Sequence, residues 1–209
     1  LIKSSKFSFY ILYIIAVPLM FEANMVLKLW LGIVPEHTVS FLRLILVVGL
    51  LYTLSNPIIV SVHATGKLKK FQIIECTMLL MIVPIAYFLL KVFGIAPEVV
   101  FVVHIIVEIC TQYARVRIVL PMIQMKLRTY LREVILPIIM VAIISPILPY
   151  LLYKNIEQSI ASFFAICSLC VVCISATVFY VGCKKSEKKF LISKVLGIYK
   201  NVLERFSKR

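Results

Sequence analysis

An all-α polytopic membrane protein with six transmembrane helices is the fold class this sequence predicts, and three observations predict it. Composition comes first: 209 residues that are 62% hydrophobic and 15% charged, with a mean hydropathy of +1.05, are too apolar for a soluble domain of this size. Spacing comes second, because the apolar residues fall into six runs of about 20, the length a helix needs to cross about 30 Å of hydrocarbon. The third is a polar stripe. The stretch Glu98 to Pro121 reads as a membrane helix yet carries His104, Glu108, Thr111 and Arg115, which at about 100° per residue share an arc of roughly 60°. An ionisable group facing lipid costs at least about 2.5–3.5 kcal/mol. This face must therefore look at other helices or at a water-filled cavity.

The predicted spans are Phe7 to Leu31, Val39 to Val62, Phe71 to Phe93, Val99 to Leu120, Val134 to Tyr153 and Ile160 to Gly182. A formal net charge of +14 invites nucleic acid as a partner, but the Lys and Arg lie between the apolar runs and in the tail, so membrane topology explains them and nucleic acid is excluded. Nineteen basic residues fall on one side: Lys3, Lys6, Lys67, Lys69, Lys70, Arg115, Arg117, Lys126, Arg128, Arg132 and nine after the sixth span. The other side holds Lys28, Arg43, Lys91 and Lys154. That asymmetry predicts that both ends are cytoplasmic. The chain begins at Leu1 without Met, so it reads as the carboxyl-terminal part of a longer protein with an even number of spans upstream.

In the first span, Pro18 predicts a kink and places Glu22, one turn on, at a bend and facing inward, either as a coupling carboxylate or in a structural hydrogen bond. Trp30 suits the outer interface, and the loop Ile33 to Thr38 turns at Pro35. Arg43 opens the second span about one turn inside the boundary, either snorkelling to headgroups or lining a cavity as an anion contact. Asn56-Pro57 is expected to interrupt that span, and Gly66 to supply the left-handed turn of the basic loop His63 to Lys70.

The segments Leu27-Lys28-Leu29-Trp30-Leu31-Gly32, Val34-Pro35, Asn56-Pro57 and Ala64-Thr65-Gly66-Lys67, followed by Pro84-Ile85-Ala86-Tyr87 and the short loop Gly94 to Glu98, resemble the carboxyl-terminal half of bacterial polysaccharide flippases. These belong to the multidrug/oligosaccharidyl-lipid/polysaccharide exporter superfamily. The resemblance covers about the first 120 residues; hydropathy alone extends it. It implies a MATE-like transporter of two lobes around a central cavity, residues 1–183 being one lobe and an amino-terminal lobe being the other. The implied activity is export of a polyprenyl-pyrophosphate-linked oligosaccharide across the bacterial inner membrane for surface polysaccharide such as O-antigen. Membrane lipids and other polysaccharide assembly proteins are the further partners it implies.

On that resemblance, Arg115, Arg43 and His104 are the candidate substrate contacts, and Glu22 and Glu108 the candidate coupling or gating carboxylates. Arg115 offers a planar fork suited to phosphate. Glu108 would pair with it in the empty cavity, and His104 and Glu108, four apart, are spaced to hydrogen-bond. The alternative is that all three tie this helix to its neighbours. Glu75, near the basic side of the third span, is expected in a surface ion pair with Lys69 or Lys70.

Pro121 to Glu133 reads as the longest internal loop, and Pro137, Pro146 and Pro149 predict a bent or split fifth span with Tyr150 and Tyr153 at the outer interface. The C-x2-C-x2-C run Cys167, Cys170, Cys173 in the sixth is read as helix packing rather than an iron–sulfur or other metal site, being apolar and lacking a fourth ligand. Cys76, Cys110 and Cys183 give no disulfide framework. Residues 184–209 form a basic tail in which Leu191, Val195, Ile198, Val202 and Phe206 recur at helical spacing, an amphipathic helix for the anionic leaflet. There is no catalytic Ser/His/Asp set, no phosphate-cradling Gly loop and no cofactor motif. A secondary transporter is therefore the leading reading, with a cation-coupled multidrug exporter and a membrane-embedded glycan polymerase or acyltransferase as the rivals. The sign of the cavity lining separates the first two, and the short outer connections disfavour the enzyme.

Overall fold

Hydrocarbon offers no water to backbone N–H and C=O groups, so each apolar run has to close its own hydrogen bonds as a helix. The computed structural model describes residues 1–66, 68–155, 159–184 and 186–188, and no strand occurs among them. Six stretches are long and apolar enough to span a membrane: Ile2–Phe21, Thr38–Thr65, Leu68–Phe93, Val99–Met122, Leu127–Asn155 and Ala161–Gly182. The protein is an all-α, multi-pass membrane protein. Lys67, Lys185 and residues 189–209, for which an amphipathic tail helix is predicted, lie outside the described residues, as do residues 156–158 of the last outer connection.

The first span is α1 (Ile2–Phe21), which continues after a break at Glu22 as α2 (Ala23–Leu31). The helix begins earlier than hydropathy predicts, taking in Lys3 and Lys6. The break falls one turn beyond Pro18, where Glu22 N–H still bonds Pro18 C=O at 3.0 Å. The second span is α3 (Thr38–Thr65), closed by Gly66 in the left-handed conformation at φ +69°. Asn56-Pro57 does not interrupt it. Proline removes a single ladder bond, and Pro57 and Ile58 are buried in the packed interior, which holds the helix continuous.

The third span does divide, into α4 (Leu68–Leu80) and α5 (Ile82–Phe93). Met81 between them lies next to the Leu80 carbonyl, the group against which the ring of Pro84 would clash in an unbroken helix. The stripe-bearing span is α6 (Val99–Met122).

The predicted loop Pro121 to Glu133 is shorter than expected. Helix resumes at α7 (Leu127–Tyr130), passes through a π-helical turn at Leu131–Ile135 into α8 (Leu136–Ile144), and after Ser145-Pro146 re-forms as α9 (Ile147–Asn155). Arg128 and Arg132 are therefore helical residues. Pro137 lacks the N–H that would serve Glu133 C=O, and the wider turn precedes it directly. The sixth span is α10 (Ile160–Thr177) with a second π turn, Val178–Gly182.

Lipid tails are as apolar as leucine, so these helices associate through close packing rather than through the hydrophobic effect. Small residues sit accordingly at the interior, where Ala16, Ala23 and Cys170 are fully buried. The core is built by α1, α3, α6, α8 and α10 around Tyr10, Tyr13, Ile58, Val119, Val134 and Ile174. The third span is peripheral: α4 and α5 lie against α6, and Phe71 and Ala86 are its buried residues. Trp30 is exposed at the end opposite the chain's amino terminus, while Tyr153 packs against Phe21 with ring centres 5.8 Å apart.

Candidate functional site

The stripe on α6 turns inward, and Glu108, Thr111 and Arg115 are all buried. Arg115 reaches across two helices. Its Nε donates to Glu75 Oε1 on α4 at 3.0 Å, with Nη2 2.8 Å from the same oxygen. Nη1 donates to Glu108 Oε1 at 2.5 Å and to Ser55 Oγ on α3 at 2.7 Å. Ser55 Oγ in turn lies 2.9 Å from Glu108 Oε1 and 2.8 Å from Gln112 Oε1, with one hydroxyl proton to share between them. One guanidinium thus joins α3, α4 and α6 inside the hydrocarbon. With one cation against two carboxylates, its charge is spent within the protein.

Two expectations change. Glu75 does not form the surface pair predicted with Lys69 or Lys70; it turns inward to Arg115, because its place on α4 faces α6. His104 does not bond Glu108, whose partners are Arg115 and Ser55, and its ring stands edge-on to Tyr52 with centres 6.2 Å apart. Thr111 bonds back to Val107 C=O of its own helix at 2.7 Å. Sequence reasoning missed Ser55 and Gln112. Gln112 was findable, since four residues after Glu108 it stands about 40° round the same face; Ser55 had no local signal.

Arg43 borders a different space. Its Nε donates to Met20 C=O at 2.9 Å, two residues before the break in the first span. The side chain also lines a cavity of about 510 Å³ whose walls include Tyr13, Val17, Phe21, Pro146 and Tyr150. Among the described residues, Arg43 is the one charged member of that lining. Glu22 is 5% exposed at the break. Among the described residues its carboxylate has no hydrogen-bond or ion-pair partner. Those residues also contain no group of three His, Cys, Asp or Glu placed to hold a metal ion.

Each end of the bundle carries its own polar clasp. At the end opposite the amino terminus, His37 Nδ1 lies 2.5 Å from Glu98 Oε1, and that hydrogen bond holds the Glu98 carboxyl below its ordinary range. At the basic end, Lys6 Nζ donates to Glu187 Oε2 at 2.7 Å and Lys184 N–H donates to the same oxygen at 2.8 Å. Burial pushes the Glu187 carboxyl up, but these donors and the two lysine charges outweigh it and hold the group low. A lowered carboxyl stabilises the fold above the ordinary carboxylate range near 4.3, and that contribution fades as pH falls through the lowered value. Glu187→Gln should therefore melt below the parent at pH 7 in detergent. The gap should close as the pH drops below about 4; a gap independent of pH would remove the clasp.

The clasps, the three-helix network and the Arg43 cavity are polar features this bundle offers for function. No protein-family model, curated protein or solved structure matches the chain.

Proposed function

We propose that this chain is one lobe of a secondary transporter that moves an amphiphilic anion across the membrane, the lipid-linked, pyrophosphate-bearing oligosaccharide of the flippase resemblance being the substrate. The observation that carries the reading is the sign and character of the Arg43 cavity. Apolar and aromatic walls suit a hydrocarbon chain, and a single cation at their edge suits a phosphate. Among the described residues, the two terminal nitrogens of Arg43 make no hydrogen bond and remain available as donors. A carrier of cationic drugs would need the opposite lining, so the geometry favours the flippase over the multidrug exporter. Interrupted spans also support the reading. The breaks at Glu22 and at Ser145-Pro146 flank the cavity, and discontinuous helices beside a substrate site are a recurring design of secondary transporters.

In this reading the second lobe precedes Leu1, the membrane is the bacterial inner membrane, and both ends of the chain are cytoplasmic. Arg43 meets the substrate anion, Glu22 sits at the hinge of the first span where its protonation would couple to motion, and Arg115 with Glu108 holds the lobe together. His104 is left in contact with Tyr52 beside this network. The test is flipping of a fluorescent polyprenyl-pyrophosphate glycan by the intact protein in proteoliposomes, normalised to folded protein. A charge-assisted hydrogen bond contributes about 1.5–3 kcal/mol, so Arg43→Ala should slow flipping by about 10- to 100-fold while Arg43→Lys keeps part of the rate. Unchanged flipping by Arg43→Ala would sink the proposal.

A further inference from the structure

The basic end contains a second cavity, of about 660 Å³, lined by Lys126, Arg128, Thr129, Arg132, Glu133 and Lys184. Among the described residues its one carboxylate is already neutralised, since Lys184 Nζ donates to Glu133 Oε1 at 2.6 Å. Lys126, Arg128 and Arg132 are exposed, and among the described residues none of their three side chains has a hydrogen-bond or ion-pair partner. Basic residues at a membrane boundary are ordinarily solvated on a convex face. Here they surround a hollow.

The placement of the hollow identifies what would fill it. The fifth span begins at Leu127, so the cavity sits at the depth of the headgroups. On the same helical run, Leu131 and Leu136 are exposed large apolar side chains, continuing from the cavity toward the hydrocarbon. The π turn at Leu131–Ile135 carries Arg132 and Glu133, and links the polar hollow to the apolar face within about two turns.

We infer that this cavity is a binding site for the phosphodiester headgroup of an anionic glycerophospholipid, with Lys126, Arg128 and Arg132 on the phosphate, the Thr129 hydroxyl as an additional donor, and the acyl chains lying along Leu131 and Leu136. Two arginine forks and an ammonium replace the hydration of a phosphate oxygen set, and the hollow is far larger than a lone phosphate needs. The site stands apart from the Arg43 cavity and does not depend on what the protein transports.

The experiment titrates the purified intact protein in detergent with short-chain phosphatidylglycerol, phosphatidylcholine or glycerol phosphate, reading the thermal midpoint as a saturable binding curve. Phosphatidylglycerol should stabilise the parent, with phosphatidylcholine and glycerol phosphate binding much more weakly. Arg128→Gln with Arg132→Gln should weaken phosphatidylglycerol by about 30-fold, as expected for two basic contacts at the membrane surface. Lys126→Gln with Thr129→Val, which also line the cavity, should weaken it too if the first pair proves poorly folded. Lys69→Gln with Lys70→Gln, basic residues outside the cavity, should leave the curve in place. Equal affinity in the parent and both cavity variants, or an equal loss in the Lys69/Lys70 control, would overturn the site. Glycerol phosphate binding as tightly as the lipid would overturn the lipid assignment in favour of a soluble phosphate, and equal binding of phosphatidylcholine would overturn the requirement for an anion.

Discussion

Arg115→Ala should leave the protein poorly folded, with a loss of about 3–5 kcal/mol, the usual result of removing one member of a buried ion pair. The cost lies less in the lost bonds than in what remains. Glu75 and Glu108 would face each other across the α3, α4 and α6 contact with no cation between them, and Ser55 would lose the guanidinium that it accepts from. Arg115→Lys keeps the charge but cannot reach Glu75 and Glu108 from opposite sides of one planar fork. It should fall between parent and alanine. A neutral triple variant, Arg115→Met with Glu75→Gln and Glu108→Gln, should recover most of the thermal midpoint, because replacing a whole buried cluster avoids stranding a charge. Fluorescence-detected size exclusion after heating measures all three. A stable, well-expressed Arg115→Ala protein would contradict the network as the tie between these helices. The triple variant also separates packing from transport. If it folds yet no longer flips the glycan, the cluster of Arg115, Glu75 and Glu108 serves transport as well as packing.

Gly182→Val should be the most damaging change of a single small residue. A Cβ at position 182 would stand 2.8 Å from Tyr10 Oη, 2.9 Å from Tyr10 Cζ and 3.1 Å from Val141 Cγ2. Tyr10 is 2% exposed and its hydroxyl donates to the Gly182 carbonyl at 3.4 Å, so its ring has little room to withdraw. Overpacking of this kind costs about 1–3 kcal/mol or more, with the larger valine at the upper end and Gly182→Ala at the lower. Tyr10→Phe should rescue Gly182→Ala poorly, because Cζ remains in place, whereas Tyr10→Leu should rescue it better. Thermal midpoints of the single and paired variants give the coupling directly. Simple additivity would show that the two residues do not meet.

The legible part of the fold was the part that depends on short stretches of chain. Span number and approximate limits follow from hydropathy, since a bilayer permits an apolar run of this length almost no structure other than a helix. Breaks were only partly legible. Pro84 and Pro146 accompany real interruptions, yet Pro57 rides inside an unbroken helix. Whether a missing ladder bond becomes a break depends on how firmly neighbours hold the turn, and Pro57 is held by the core.

The polar stripe on α6 could be read because helical geometry alone puts Glu108 and Arg115 on one face, and burial follows from the cost of showing them to lipid. Where the guanidinium would go could not be read. Its partners Ser55 and Glu75 lie 60 and 40 residues away, and their meeting depends on the rotation and vertical register of α3 and α4 against α6. Glu75 looked like a surface residue because two lysines stand near it in sequence; packing turned it to the other side. The cavity at Arg43 and the hollow at Arg128 are likewise products of tertiary structure, each enclosed by helices from separate parts of the chain or by a helical start that hydropathy placed too late. By itself the sequence determined that the chain spans a membrane six times and which face of the fourth span is polar, because those depend on local composition and helical periodicity. The tertiary structure alone decided which charges are spent on one another and which remain free to meet a ligand, because that depends on contacts between helices distant in the chain.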